Sequence, residues 1–183
     1  MTISSADVIS FWTHEVGESR WYNSDAALDA RMRERFSDIW QTARRGKLAG
    51  WQESAEGALA LVLVLDQFPR NMFRDTADSF ATDAQAREVT AHAIDQGFDM
   101  KIEPPLREFF YMPFMHSESI ADQDRSVALI GERLGKDSQQ YPYAMEHRAE
   151  IARFGRFPSR NNALGRTATA EEHEFLVIHK KSR

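Results

Sequence analysis

The sequence predicts an all-α protein, and two patterns support this prediction. Along most of the chain, apolar residues recur at intervals of three and four, as they do on one face of an α-helix. Long runs that alternate between apolar and polar residues are absent, and no Asn-Gly or Asp-Gly pair marks a hairpin. We therefore expect seven or eight helices in antiparallel pairs, connected by short loops, within a single domain over residues 1–183.

The first two helices follow from the spacing of their apolar residues. The first apolar face consists of Val8, Phe11, Trp12 and Val16. The second apolar face consists of Leu28, Met32, Phe36, Ile39 and Ala43. We expect Ser4 or Ser5 to cap the first helix and Ser24 to cap the second, which ends near Gly46.

The longest strongly apolar run, residues 58–65, fits either a buried strand or a buried helix. We predict a helix, because residues 53–67 read as one continuous segment and no partner strand is evident. A helix that is apolar on all sides belongs at the centre of a domain. Pro69 is expected to end or kink it, since proline lacks the backbone N–H that continues a helix.

Two further helices follow this central segment. Thr82 or Asp83 is expected to cap a helix that ends at Gly97, and Pro104-Pro105 opens another that bends at Pro113. Their apolar faces are Val89, Ala93 and Ile94 in the first, and Leu106, Phe109, Phe110 and Phe114 in the second.

The last three helices are predicted from their ends. Ser119 caps the first of them and Gly135 ends it, while the second covers about residues 138–154. Thr169 and Glu172 form a capping box at the start of the third. The apolar positions of the first of these helices are Val127, Ile130 and Leu134. Those of the third are Phe175, Leu176 and Ile178.

Composition excludes several classes of function. The net charge of −5 disfavours non-specific binding to nucleic acid. Because the chain has no cysteine, disulfides, thiolate nucleophiles and cysteine-based metal sites are excluded. The beginning of the chain lacks the pattern of a signal peptide, and the longest apolar run is far shorter than the roughly 20 residues that span a bilayer. We expect a cytoplasmic protein with no nucleic-acid or membrane partner, and the oligomeric state stays open.

Familiar catalytic and cofactor motifs are also missing. The sequence contains no H-E-x-x-H pair, no EF-hand loop, no glycine-rich phosphate loop and no G-x-S-x-G elbow. We therefore expect no bound metal and no other cofactor.

Two segments of similar composition point to a candidate site. Residues 65–74 read LDQFPRNMFR, and residues 155–166 read GRFPSRNNALGR. Each segment joins Phe-Pro to Arg and Asn, and each follows an apolar helical stretch. Polar side chains in such places are costly unless they are paired. We expect the guanidinium and amide groups of both segments to share one recess among the helices.

The first segment has two interpretations. Asp66 needs a partner, and Arg70 and Arg74 are the candidates, while Asn71 can bond the backbone of the turn. In a structural plug, these groups satisfy the backbone around Pro69. In a binding site, an arginine holds an anion through two hydrogen bonds.

The second segment is rich in donors for a chain of net negative charge. These donors are Arg153, Arg156, Arg160, Asn161 and Arg166. A solvated basic face is one explanation for such a run. Phe154, Phe157 and Leu164 lie between the donors and indicate close packing, so that the arginines are partly buried and can form an anion site.

Two histidines are candidates for acid–base chemistry. His147 shares a helical face with Ile151 and Phe154, so it points inward as either a hydrogen-bonded core residue or a general base. His116 and Glu118 have three interpretations: an acid–base pair, metal ligands together with His147, or part of the turn that caps the next helix.

Together these residues resemble the DUF924 family of uncharacterised bacterial proteins. The segments that carry the resemblance are residues 58–74, 109–113, 116–118, 147–148, 154–158, 160–161 and 164–166, with residues 8–12 and 171–176. The resemblance implies an all-α fold related to tetratricopeptide-like helical superhelices, and it implies no established activity. Ser159 stands where the family is expected to have histidine, Met115 where glutamate is common, and Ala170 where proline is usual. A mechanism that uses that histidine or glutamate as a base is therefore impaired in this chain.

Three functions fit these residues, and we rank ligand binding first. In that function, a small anionic ligand or a peptide carboxylate is held by Arg70, Asn71, Arg74, His116, His147, Arg156, Arg160 and Asn161. The second is a hydrolase-type enzyme with arginines that stabilise an oxyanion or phosphate. Its general base is His147 or His116, and its orienting carboxylate is Glu118 or Asp66. The third is a protein-interaction adaptor, which rests on fold analogy.

Overall fold

The computed structural model describes residues 3–23 and 25–180, and the regular structure in these ranges is entirely helical. The α-helices are α1 (Ser5–Ser10), α2 (Ala26–Arg44), α3 (Ala55–Val62), α4 (Phe68–Met72), α5 (Asp83–Asp95), α6 (Met112–Met115), α7 (Ile120–Arg133), α8 (Gln140–Phe154) and α9 (Ala170–Lys180). Two π-helical turns, Phe11–Val16 and Leu63–Gln67, extend α1 and join α3 to α4. The all-α prediction is confirmed, whereas the tetratricopeptide-like superhelix stays a prediction.

The described residues form two compact units. Unit 1 comprises the residues up to Arg74 together with Asp78–Pro113, and unit 2 comprises Asp75–Ala77 and the residues from Phe114 onward. The two Phe-Pro segments therefore belong to different units. A recess shared by both segments stays a prediction, as does a single domain over residues 1–183.

Helix α1 begins with the predicted serine cap. The Ser4 side chain accepts a hydrogen bond from the Asp7 N–H at 3.2 Å, and the Asp7 carboxylate accepts one from the Ser4 N–H at 2.8 Å. Every residue of the predicted apolar face is buried: Val8, Phe11, Trp12 and Val16.

Helix α2 also buries its predicted face, which is Leu28, Met32, Phe36, Ile39 and Ala43. Ser24, its predicted cap, lies outside the described residues. The Asp25 carboxylate accepts hydrogen bonds from the N–H groups of Ala27 at 2.9 Å and Leu28 at 3.1 Å, so it satisfies donors at the start of the helix. Gly46 follows the helix with a φ of 70°, a backbone conformation that favours glycine.

The apolar run 58–65 lies in α3 and the π turn that follows it, so the predicted buried helix is confirmed. Pro69 was expected to end or kink this helix. It does not end it, because the chain stays helical to Met72, and a kink at Pro69 stays a prediction. Pro69 has no N–H to donate to the Leu65 carbonyl, four residues earlier. The Thr82 hydroxyl donates to that carbonyl instead, at 2.5 Å. A side chain thus replaces the backbone donor that proline lacks.

Helix α5 has the predicted bounds, but Thr82 does not cap it through its side chain. The hydroxyl of Thr82 is committed to Leu65. The helix predicted to open at Pro104-Pro105 is not a single α-helix. It consists of a 3₁₀ segment, Leu106–Phe110, followed by the short α6. Pro113 explains the break, since it has no N–H for the Phe109 carbonyl.

Unit 1 has an aromatic core in which Phe68 is central. The Phe68 ring centroid lies 4.8 Å from that of Phe36, 5.8 Å from that of Trp12 and 6.0 Å from that of Phe11. All four side chains are buried. This packing fixes the chain just before Pro69 and Arg70, and so positions the first Phe-Pro segment.

Helices α7 and α8 form an antiparallel pair in unit 2. Arg148 Nε donates to Asp124 Oδ1 at 2.5 Å, and a Cβ on Gly131 would lie 3.0 Å from the Tyr141 ring. A residue further along α7 thus contacts a residue closer to the start of α8, so the two helices run in opposite directions. This is the arrangement predicted for neighbours with a short connection. Among the described residues, no helix is long and apolar enough to cross a membrane.

Candidate functional site

Glu118 binds the second Phe-Pro segment to the turn before α7. Its carboxylate accepts hydrogen bonds from both terminal nitrogens of Arg166, at 2.7 and 2.9 Å, and from the Phe157 N–H at 2.9 Å. Arg166 also donates to Asn161 Oδ1 at 2.9 Å and to the Phe157 carbonyl at 3.1 Å. These bonds fold residues 157–166 around one bidentate ion pair.

The environment of Glu118 stabilises its charged form. Partial burial raises the pKa of Glu118, but the hydrogen bonds from Arg166 and from the Phe157 N–H outweigh burial, so the pKa lies below its ordinary value. A carboxylate held in this way is a poor general base, because it has little tendency to take up a proton.

Glu172 forms a second internal ion pair, with Arg156. Its carboxylate accepts hydrogen bonds from Arg156 at 2.6 and 2.9 Å, from Asn161 Nδ2 at 3.2 Å and from the Thr169 N–H at 2.7 Å. The Arg156 bonds, with those of Thr169 and Asn161, lower the pKa of Glu172 to about 2. The predicted capping box is confirmed, since the Glu172 N–H donates to Thr169 Oγ1 at 3.2 Å.

Arg160 is held by backbone and aromatic contacts. Its guanidinium donates to the His116 carbonyl at 2.8 Å and lies 4.5 Å from the centroid of the Phe157 ring. The second segment thus brings Arg156, Arg160, Asn161 and His116 into one connected network within unit 2.

His147 is half-buried on the inward side of α8, as predicted. Its Nδ1 lies 2.8 Å from the Tyr143 carbonyl, and its ring packs edge-on against Phe157 with centroids 5.4 Å apart. A carbonyl can only accept a hydrogen bond, so Nδ1 carries the proton in the neutral ring. Nε2 is then the acceptor atom of the imidazole.

A cleft of about 700 Å³ lies beside this network in unit 2. Two of the predicted site residues line it, His147 and Asn161. The other polar lining residues are Glu150, Ser159, Asn162, Arg166 and His173. Its apolar lining is Phe157, Pro158, Ala168, Phe175, Leu176 and Val177.

The first Phe-Pro segment makes a separate polar cluster in unit 1. Arg70 lies 3.2 Å from Asp66 Oδ1 and 3.1 Å from Asp83, and it also donates to the Asp66 carbonyl. Asp66 is fully buried and accepts a further hydrogen bond from Gln67 at 2.6 Å. Arg70 therefore has two internal carboxylates as partners.

Asn71 and Arg74 both contact a residue of α2. Asp29 accepts hydrogen bonds from Asn71 Nδ2 at 2.9 Å and from Arg74 at 2.9 and 3.1 Å. Since internal carboxylates take up these donors, the contacts of Arg70, Asn71 and Arg74 favour the structural-plug interpretation of the first segment.

Sequence reasoning named Asp66 as a partner of Arg70, and the structure pairs them. It did not find the partners of Arg156 and Arg74. Glu172 was recognised for its helix cap, and its pairing with Arg156 has no local signal because 16 positions separate the two residues. Asp29 is 45 positions from Arg74. His173 was also missed as a cleft residue, and its position one turn after the Thr169 cap was the signal that could have found it.

These features define a class: an all-helical protein whose two Phe-Pro segments are fixed by internal acids, one of them beside a cleft. The chain belongs to the DUF924 family, described as "Bacterial protein of unknown function", whose model matches residues 8–179.

A solved structure, that of a protein of unknown function, ATU0120, from Agrobacterium tumefaciens, is similar to this chain. The two are 46% identical, with a TM-score of 0.88, and the match covers 94% of this chain and 96% of that one. The comparison with curated proteins gives no match.

Proposed function

We propose that unit 2 binds a small organic carboxylate, or the carboxylate of a peptide, in the cleft beside His147. One observation carries the proposal: a 700 Å³ cleft, within the usual size range of small-molecule sites, is lined by two of the residues predicted to bind an anion. The cleft also combines an apolar wall with a few polar groups, which is the usual composition of such sites.

The polar side of the cleft offers donors of limited charge. Arg166 has five N–H groups, and four of them bond to Glu118, Asn161 and Phe157. The fifth has no partner among the residues that the structure describes. The imidazoles of His147 and His173 donate when protonated. A single carboxylate suits this set better than a phosphate, because the Arg166 charge is already shared with Glu118.

The apolar side of the cleft selects the rest of the ligand. Phe157 is buried, and Phe175 and Leu176 are half-buried. The exposed parts of Phe175 and Leu176 form a wall that an aromatic or aliphatic group can cover. Burial of such a group contributes about 25 cal/mol for each Å² removed from water. The ligand we propose therefore has one carboxylate and one apolar group.

Calorimetric titration with N-acetylphenylalanine tests the proposal, with N-acetylphenylalaninamide as a neutral ligand of the same shape. We expect the acid to bind at least about tenfold more tightly than the amide, since the charge is what the donors recognise. His147→Gln and His173→Gln should each weaken the acid by about fivefold and leave the amide unchanged.

His14→Gln is the matched control, because His14 is an exposed histidine in unit 1. It should change neither affinity. Equal affinities for acid and amide would remove the proposal, and so would an unchanged affinity in both cleft variants.

A hydrolase-type enzyme is the second candidate, favoured by the tautomer of His147. Its Nε2 is the basic atom of the ring, in a residue that lines the same cleft as Ser159. Turnover of a panel of esters and phosphate esters that is lost in His147→Gln, with thermal stability retained, would support this function. Activity that persists in the variant would exclude His147 as the base.

The proposal includes two finer statements about the molecule. We infer a cytoplasmic location, which the absence of cysteine favours. We also propose the tetratricopeptide-like arrangement of the helices, which the α7–α8 antiparallel pair supports. An adaptor function rests on that analogy alone, and we rank it last.

A further inference from the structure

Unit 1 contains a second concave surface, which lies among residues that the proposed function does not use. It is a groove of about 440 Å³ between the start of the chain and the segment around Pro104. Trp21, Leu59 and Ile102 are its buried apolar residues, and Pro104 and Pro105 are exposed beside them. The size and the apolar floor suit a small organic molecule.

The floor of the groove is rigid. Trp21 Nε1 donates to the Trp12 carbonyl at 2.9 Å, and the two indole rings are stacked with centroids 6.2 Å apart. The Phe109 ring meets Trp21 edge-on at 4.9 Å. A ligand therefore meets an aromatic surface that is already in place, and binding loses little side-chain entropy.

The rim of the groove is acidic. Glu18, Glu56 and Glu103 are exposed lining residues, against a single lysine, Lys101. Among the described residues, no hydrogen bond or ion pair engages the three carboxylates. By contrast, Glu15 in the same unit pairs with an arginine at 2.6 Å. The described lining residues thus carry a net charge of −2.

The arrangement of the carboxylates favours an organic cation over a metal ion. Within the described ranges, no three acidic or histidine side chains are grouped closely enough to hold a metal. Charges spread around an apolar floor suit an ammonium group attached to an apolar body, because the body covers the floor while the charge meets the rim. The ammonium of Lys101 lies 5.0 Å from the centroid of the Phe98 ring.

We propose that the groove beside Trp21 binds a small organic amine, with its apolar body on the floor of Trp21, Leu59 and Ile102 and its ammonium among Glu18, Glu56 and Glu103. This site is independent of the cleft in unit 2. It takes a ligand of opposite charge, so the two proposals can succeed or fail separately.

Calorimetry with phenethylammonium tests this site, with 2-phenylethanol as the neutral ligand of the same body. We expect the amine to bind at least about tenfold more tightly than the alcohol. The combined variant Glu18→Gln, Glu56→Gln, Glu103→Gln should remove that advantage, and about 0.5 M sodium chloride should reduce it. Glu146→Gln, an exposed change in α8, should have no effect.

A variant with the opposite expected sign keeps the test decisive if the triple variant does not fold. Lys101→Gln removes the one positive charge among the described lining residues and should tighten amine binding by about two- to fivefold. The amine should also shift the indole N–H resonance of Trp21, identified by its loss in Trp21→Phe. Equal affinities for amine and alcohol, weaker amine binding in Lys101→Gln, or shifts confined to other indoles would each overturn the proposal.

Discussion

Replacing Thr82 by valine tests how the central helix tolerates its proline. Thr82 is fully buried, and its hydroxyl makes two hydrogen bonds. It donates to the Leu65 carbonyl at 2.5 Å and accepts from Trp40 Nε1 at 3.2 Å. Valine has nearly the same shape, so Thr82→Val removes both bonds without creating a cavity.

The expected cost follows from these two bonds. An unsatisfied buried carbonyl costs about 1–3 kcal/mol, and the longer Trp40 bond adds about 1 kcal/mol. We expect Thr82→Val to lower the free energy of unfolding by about 3 kcal/mol. For a chain of this size, that corresponds to a fall in Tm of about 6–12 °C.

The double variant with Pro69→Ala identifies the cause. Alanine at position 69 supplies the backbone N–H that the Leu65 carbonyl lacks. The cost of Thr82→Val should therefore drop to about 1 kcal/mol in the Pro69→Ala background. Urea unfolding followed by circular dichroism measures all four proteins of the cycle.

Thr42→Val is the matched control, because the Thr42 hydroxyl donates to the Asp38 carbonyl at an exposed position of α2. It should change stability by no more than about 0.5 kcal/mol. An equal cost of Thr82→Val in both backgrounds would refute the role given to the hydroxyl, as would a cost below about 1 kcal/mol in the natural sequence.

Three further predictions concern the acids of unit 2. Glu118→Gln should lower the free energy of unfolding by about 2 kcal/mol in urea, because it removes charged hydrogen bonds worth about 1.5–3 kcal/mol between side chains that are about a quarter exposed. In an Arg166→Leu background the same change should cost almost nothing, since the partner is already absent. Asp124→Asn breaks an exposed pair and should cost less than about 0.5 kcal/mol by the same measurement. Because Glu172 has a pKa of about 2 when folded and an ordinary value of 4.5, its bonds with Arg156 stabilise the protein above pH 4.5 and weaken as the pH falls toward 2. The difference in Tm between the natural protein and Glu172→Gln should therefore narrow over that range, and a constant difference would contradict the assigned pKa.

Most of the fold could be predicted because its signals are local. The apolar faces of α1 and α2 are correct residue for residue, and Ser4 caps α1 as its position before an apolar face indicated. The errors arise at prolines. A proline shows which N–H is missing, but not whether a distant side chain, such as that of Thr82, supplies a substitute.

The candidate site was predictable only in part, for a similar reason. Arg156 and Arg166 stood out in the sequence because several arginines lie close together there. In the structure, however, they form ion pairs with Glu172 and Glu118. Whether an arginine faces a ligand or an internal acid depends on residues brought together by folding, which no spacing along the chain reveals. His147 and Asn161 were predicted as site residues and do line the cleft. For His147 the signal was local, because the spacing of α8 shows which face is inward.

The way in which α9 is attached sets a limit on how far the chain can be shortened. Its first turns hold it in place, since Glu171 pairs with Arg153 at 2.8 Å and the Phe175 ring packs 4.9 Å from that of Phe154. Val177 and Ile178, further along, are 56% exposed. A chain that ends at Leu176 would keep these contacts. A chain that ends before Glu172 would lose the carboxylate that pairs with Arg156 and would also lose Phe175 and Leu176 from the wall of the cleft.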